Sequence, residues 1–211
     1  MKAVTKCKKN LPLPYPYFFL WLFAILGVCF YFYWDRPISE WVQQMPPIVS
    51  SIGYVISALS NPGLSMLILP LLLFISLVWW QKKPLANLFL LMTITVNATH
   101  FLTTPIKMFF GRYRPDLWLS QHLYGFDFLV YKDIEMSFPS GHAMTIASIL
   151  FSIACVYPKK FPLLLVLTIL LSFCRVIVDQ HYVSDILASM LFTFFMSQWI
   201  YLGLKRAKVS F

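Results

Sequence analysis

Arg175 is followed after five intervening residues by His181 and, after three more, by Asp185. An imidazole backed by a carboxylate can serve as a nucleophile or a base, and a guanidinium can grip an anion through its planar donor fork. Two other clusters offer related chemistry: Lys107-Met-Phe-Phe-Gly-Arg-Tyr-Arg114-Pro115, and Pro139-Ser140-Gly141-His142. Each has a plain structural explanation. Lys107 and Arg114 can be snorkelling anchors, Ser140 a helix cap beside a solvated His142, and His181 with Asp185 a helix-surface pair at i, i+4. All three clusters, however, sit at the outward ends of apolar runs, where an ionisable side chain is costly unless it has a function.

Those runs are the elements that must position the clusters. The chain has 211 residues, 59% hydrophobic and 12% charged, and its mean hydropathy is +0.72, outside the range of soluble domains. Spanning hydrocarbon takes about 20 apolar residues in a helix. Six segments approach that length: Tyr17 to Tyr33, Leu64 to Trp80, Leu85 to Ile106, Ala143 to Tyr157, Phe161 to Val178 and Ile186 to Leu204. Asn61-Pro62-Gly63, Lys82-Lys83-Pro84 and Lys159-Lys160-Phe161-Pro162 read as helix entries, since proline there sacrifices no hydrogen bond. Ile38 to Leu59 is only partly apolar, contains Pro46-Pro47 and reads as a helical hairpin or interfacial segment outside the membrane. The fold class is thus all-α, a polytopic membrane helix bundle of about six transmembrane helices in a single domain, residues 1–211.

Charge orients the bundle. With six spans, one side carries Lys2, Lys6, Lys8, Lys9, Lys82, Lys83, Lys159, Lys160, Lys205, Arg206 and Lys208 and no acid; the other holds the remaining six bases and all eight acids. The positive-inside rule then puts both termini in the cytoplasm and the loops 107–142 and 175–185 outside. The net charge of +9 is spread between apolar runs, so no basic patch of the kind nucleic acid requires is formed. Four cysteines lack Cys-x-x-Cys or zinc spacing, which leaves buried thiols and no structural metal.

In order and separation the three clusters resemble the type-2 phosphatidic acid phosphatase superfamily, whose signature is Lys-x6-Arg-Pro, Pro-Ser-Gly-His and Ser-Arg-x5-His-x3-Asp. Every charged position matches, over a core of about residues 60–200; the one departure is Cys174 where that pattern has serine. The resemblance implies a membrane lipid phosphatase, of the bacterial type, acting on a lipid phosphate monoester or pyrophosphate: undecaprenyl pyrophosphate, lipid A phosphate, phosphatidylglycerol phosphate or phosphatidic acid. It implies a phosphohistidine on His181 oriented by Asp185, His142 as acid and then base, and Lys107, Arg114 and Arg175 around the phosphoryl oxygens. Backbone N–H groups of Ser140 and Gly141 add donors at a helix start. Such a cationic cradle neutralises charge without a metal, so no cofactor is expected. The partners are the lipid substrate and the bilayer, and the expected location is a bacterial inner membrane with the site on its periplasmic face. Asn97, His100, Thr104 and Lys107 fall on one helix face, as inter-helix hydrogen bonding or the lining of a passage. The alternatives are a lipid phosphotransferase using the same site and a non-catalytic lipid transporter or scramblase.

Overall fold

The computed structural model describes residues 12–13 and 16–211. The expectations for Lys2, Lys6, Lys8, Lys9 and Cys7 lie outside the described residues. In chain order the helices are α1 (Pro16–Cys29), continued by a π-helical turn (Phe30–Trp34) into α2 (Asp35–Gln43), α3 (Pro47–Leu59), α4 (Pro62–Val78), α5 (Lys83–Phe110), α6 (Pro115–Gln121), α7 (Gly141–Val156), α8 (Phe161–Ile177) and α9 (Val183–Arg206). Among the described residues only an isolated bridge, Arg112 with Phe126, is β-like.

Sequence punctuation sets most of these boundaries. Proline occupies the first turn of α3, α4, α5, α6 and α8, where its missing N–H would have had no helical partner. Asn61 caps α4 by accepting from the Leu64 amide at 3.2 Å. Gly111 ends α5 in the left-handed region at φ 56°. A Cβ there would lie 2.0 Å from the Asp127 carbonyl oxygen, so only glycine lets the following loop fold back on the helix end.

Among the described residues five helical stretches are long and apolar enough to cross a membrane: Phe18–Gln43, Pro47–Val78, Lys83–Phe110, Pro158–Ile177 and Val183–Arg206; Gly141–Val156 is a shorter apolar helix. The second stretch is interrupted at Ser60 and Asn61, so α3 and α4 are separate helices. The segment read as a hairpin outside the membrane is indeed two helices about Pro46-Pro47, but its first arm, α2, prolongs the first apolar helix instead of standing apart from it. α3 leans on the end of α8, where a Cβ on Gly53 would come within 2.9 Å of Val178.

α7 is the innermost helix: Ala143, Met144, Ala147, Phe151 and Ala154 are fully buried. Small side chains let its neighbours approach closely, the usual device of membrane bundles. Hydroxyls join α7 to α5, Thr99 Oγ1 lying 3.1 Å from Ser148 Oγ and Ser152 donating to Thr95 at 3.3 Å. At 16 residues α7 is about 24 Å long, short of the roughly 30 Å hydrocarbon core. Pro139-Ser140-Gly141-His142 forms its start, with Ser140 as the N-cap. Trp21, Leu67, Leu71, Phe101 and Trp199, more than half exposed, face outward as a lipid-contacting surface does.

Candidate active site

Lys107, in the last turn of α5, reaches across to the Met136 carbonyl at 2.5 Å. Two helix starts and one helix end meet it. Arg175 is in the last turn of α8 and bonds Ser57 Oγ of α3 at 2.5 Å, while its carbonyl accepts from the amides of Gln180 and His181 at 3.1 and 3.3 Å. Arg114, capping α6, holds Gln180 Oε1 at 2.7 Å and the Asp133 carboxylate at 2.9 Å. The cations near His142, at the start of α7, are Arg175, Lys107 and Arg114, with the His100 ring also beside it. The three sequence clusters therefore converge at one end of the bundle, and Lys82, Lys83, Lys159, Lys160, Lys205 and Arg206 lie at the opposite ends of α5, α8 and α9.

His181 is 3% exposed and precedes α9, with Asp185 in that helix's first turn. The pair is therefore not the helix-surface pair that i, i+4 spacing alone suggests. His181 Nδ1 stands 3.7 Å from Asp185 Oδ2, ion-pair range but beyond a hydrogen bond. Ser137 bridges them: its hydroxyl donates to Asp185 Oδ2 at 2.6 Å and lies 3.4 Å from His181 Nδ1. A serine has one proton, and this one faces the carboxylate. Its lone pairs thus face an Nδ1 that carries the hydrogen, which leaves Nε2 with a free lone pair. Burial pushes the His181 imidazole down to about 3, helped by the Lys107 and Arg175 charges and opposed by Asp185, so the ring is neutral at physiological pH.

Asp185 is fully buried and also accepts from the Tyr182 amide at 3.0 Å. Its charge is matched by Arg112, which sequence reasoning left without a role. Arg112 is 1% exposed and donates to Asp185 Oδ1 at 2.5 Å and to Asp35 Oδ2 at 2.8 Å. Tyr182, Tyr31, Phe126 and Tyr124 surround its guanidinium, with ring centroids 4.6 to 5.6 Å away. Burial works against that charge, yet the carboxylates of Asp185 and Asp35 hold it firmly above the ordinary arginine value. Asp35, from α2, also receives the Ser184 amide at 3.1 Å and the Ser184 hydroxyl. An aspartate directly after a long apolar run was a visible signal for Asp35; Ser137, Ser57 and Gln180 gave none, since serine and glutamine in loops are ordinary.

Ser140 is fully buried, caps α7 through Ala143 N and donates its own amide to Ser189 Oγ at 2.8 Å. That amide is committed inside the protein, so of the two backbone donors expected here the Ser140 one does not face an anion. Cys174 points back along its own helix toward the Leu170 carbonyl, 3.8 Å away, and takes no part in the cluster. His100 bonds Thr145 of α7 at 2.7 Å, the inter-helix role anticipated for that face of α5. Among the described residues no group of three or more His, Cys, Asp or Glu side chains is placed to hold a metal ion.

The structure is similar to the transmembrane PAP2-type phosphatidylglycerolphosphate phosphatase from Bacillus subtilis, with a TM-score of 0.64 at 22% identity over 91% of this chain and 96% of that one. Two proteins named lipid A 1-phosphatase, from Rhizobium johnstonii and Rhizobium etli, are each 31% identical over 98 residues, 46% of this chain. The shared stretch covers 40% and 42% of those relatives, under half of their length. The PAP2 superfamily pattern matches residues 84–208, a stretch that holds all three clusters and more than half of the sequence. The chain belongs to the PAP2 superfamily.

Proposed function

We propose that this protein is a membrane lipid phosphatase that hydrolyses a phosphate monoester or pyrophosphate on a lipid through a phosphohistidine at His181. The observation carrying this reading is a buried, neutral imidazole whose Nδ1 is backed by Ser137 and Asp185 while Lys107 and Arg175 lie close enough to act on its charge. Phosphoryl transfer needs an in-line nucleophile, charge on the equatorial oxygens and a proton for the leaving group. His181 Nε2 attacks phosphorus, and the bond from phosphorus to the leaving oxygen breaks as His142 gives that oxygen its proton. Asp185 stabilises the positive charge that develops on the ring. His142 then takes a proton from water, whose oxygen attacks phosphorus, releasing inorganic phosphate and neutral His181. Lys107, Arg114 and Arg175 hold the phosphoryl oxygens throughout, with the Gly141 amide at the α7 start as a further donor.

This cradle supplies three cations, the neutralisation that magnesium provides in other phosphoryl-transfer sites, and we read the reaction as metal-independent. Basic residues at the far ends of α5, α8 and α9 support a site on the outer, periplasmic face of a bacterial inner membrane, with the C-terminus cytoplasmic. The names of the Rhizobium and Bacillus proteins make lipid A phosphates and phosphatidylglycerol phosphate natural first substrates, beside undecaprenyl pyrophosphate and phosphatidic acid.

The test is phosphate release from these lipids by the purified protein in vesicles, with an alkaline denaturing quench to trap a phosphoenzyme that is base-stable and is lost on later exposure to acid. His181→Ala abolishes the trapped species and lowers release by about 10³-fold or more. Wild-type release from that variant overturns the proposal, and label appearing on an acceptor lipid in place of free phosphate marks a phosphotransferase.

A further inference from the structure

Below the site, Asn97, His100, Phe101 and Thr104 of α5 line an open groove of about 500 Å³, with Met66 of α4 on its other wall. The groove adjoins the phosphate cluster, because His100 Cε1 lies 3.5 Å from where a Cβ on Gly141 would be. Counted by helical rise, Thr104, His100 and Asn97 stand about 5, 10 and 15 Å below Lys107. Their polar atoms are only partly engaged. His100 bonds Thr145 across the interface, whereas Asn97 Nδ2 turns back to the Thr93 carbonyl at 2.8 Å. Among the described residues neither the Asn97 carbonyl oxygen nor the Thr104 hydroxyl bonds a neighbouring helix, and both residues are exposed.

Hydrogen-bonding side chains open toward hydrocarbon are unfavourable unless something polar meets them. The groove on the other side of α5 makes the contrast: Ile106, Phe110, Leu191, Phe195 and Trp199 line it, an apolar wall suited to a plain chain. A polyprenyl tail is hydrocarbon from its first carbon and would leave Thr104 and Asn97 without partners. An acylated lipid carries ester, amide or hydroxyl groups below its phosphate, which can meet Thr104 and, deeper, Asn97.

We propose that the groove receives the ester- or amide-linked part of an acylated lipid phosphate, so that the protein selects acylated glycerol or sugar phosphates against polyprenyl pyrophosphates. This rests on the phosphatase reading of the adjoining site. Phe101 and Met66 supply the apolar surface for the chains, and Thr104 and Asn97 the polar contacts that set depth and class.

The experiment compares kcat/KM for dioleoyl phosphatidic acid, a synthetic acylated glucosamine 1-phosphate and undecaprenyl pyrophosphate, using wild type and the double variant Asn97→Leu, Thr104→Val in phosphatidylcholine vesicles. Wild type favours at least one acylated lipid over the polyprenyl one by about tenfold or more. The variant shrinks that ratio about tenfold, as expected for one or two lost hydrogen bonds. A wild-type preference for the polyprenyl lipid, or a variant that slows all three lipids equally, overturns the selectivity while leaving the phosphatase reading standing. Release from none of them by folded wild-type protein overturns both.

Discussion

At position 181 burial and two neighbouring cations act in the same direction, holding the imidazole near 3 against the opposing pull of Asp185. The sign of the linkage follows. An unfolded histidine binds a proton below about 6.5, whereas the native ring refuses it until about 3, so stability falls as pH drops through that window. His181→Asn removes this, and thermal unfolding in detergent then loses less Tm between pH 6.5 and 4 than wild type does. Asp179, on the same loop, is raised by burial to about 6, with Ser39 donating to it at 3.0 Å, and its slope opposes that of His181; Asp179→Asn is the control that separates them. Under the proposed mechanism the turnover limb due to His181 moves toward pH 3, and the decline at higher pH is assigned to His142 as the leaving-group acid. Ser137 is the bridge between ring and carboxylate, so Ser137→Ala lowers kcat by about tenfold to a hundredfold with little change in KM. Arg112 shares its two donor groups between Asp185 and Asp35. Asp35→Asn keeps an acceptor for the Ser184 amide but leaves the guanidinium with one counter-charge, at a cost of about 3 kcal/mol. A melt unchanged from wild type would remove Asp35 from this network.

Among the helices, the tightest requirement falls where α5 ends. Gly111 sits at positive φ with the Asp127 carbonyl packed on its α-carbon, and its own carbonyl receives the Asp127 amide at 2.8 Å. Arg112 and Arg114 follow at once, so the turn aims one guanidinium inward at Asp185 and the other toward Gln180. Gly111→Ala must move that loop. The expected result is a loss of several kcal/mol and a fall in phosphate release larger than the fall in folded protein; a variant with wild-type turnover per folded molecule would show that the turn does not set the cradle. The short α7 has a related task, since its start brings His142 near Lys107 at the end of α5 and Arg175 at the end of α8. Its alanines are legible only as apolar in the sequence, yet their size is what admits α5 and α9 so closely.

For the molecule as a whole, the proposed orientation is checked by adding a cysteine at Leu129, which is 69% exposed in the loop between α6 and α7, beside the end of α5. In intact cells a membrane-impermeant maleimide labels Leu129→Cys, while a cysteine at Lys208 reacts only after lysis; the reverse pattern would invert the bundle. From the sequence by itself came the all-helical membrane class, the helix entries at proline and asparagine, and the motif residues Lys107, Arg114, His142, Arg175, His181 and Asp185. Those signals are local: the length of an apolar run, a cap, a fixed spacing of charges. The tertiary structure alone decided what stands behind the motif. Asp35 reaches Arg112 across 77 residues and Arg175 meets Ser57 across 118, and no spacing rule registers contacts made by packing between distant helices. It likewise decided that Ser137 and not direct contact links His181 to Asp185, and that the Ser140 amide turns inward to Ser189. The physical reason is common to all of these: local sequence sets where a helix begins and which residues are apolar, but the partner of a buried polar atom is set by which helix lies beside it.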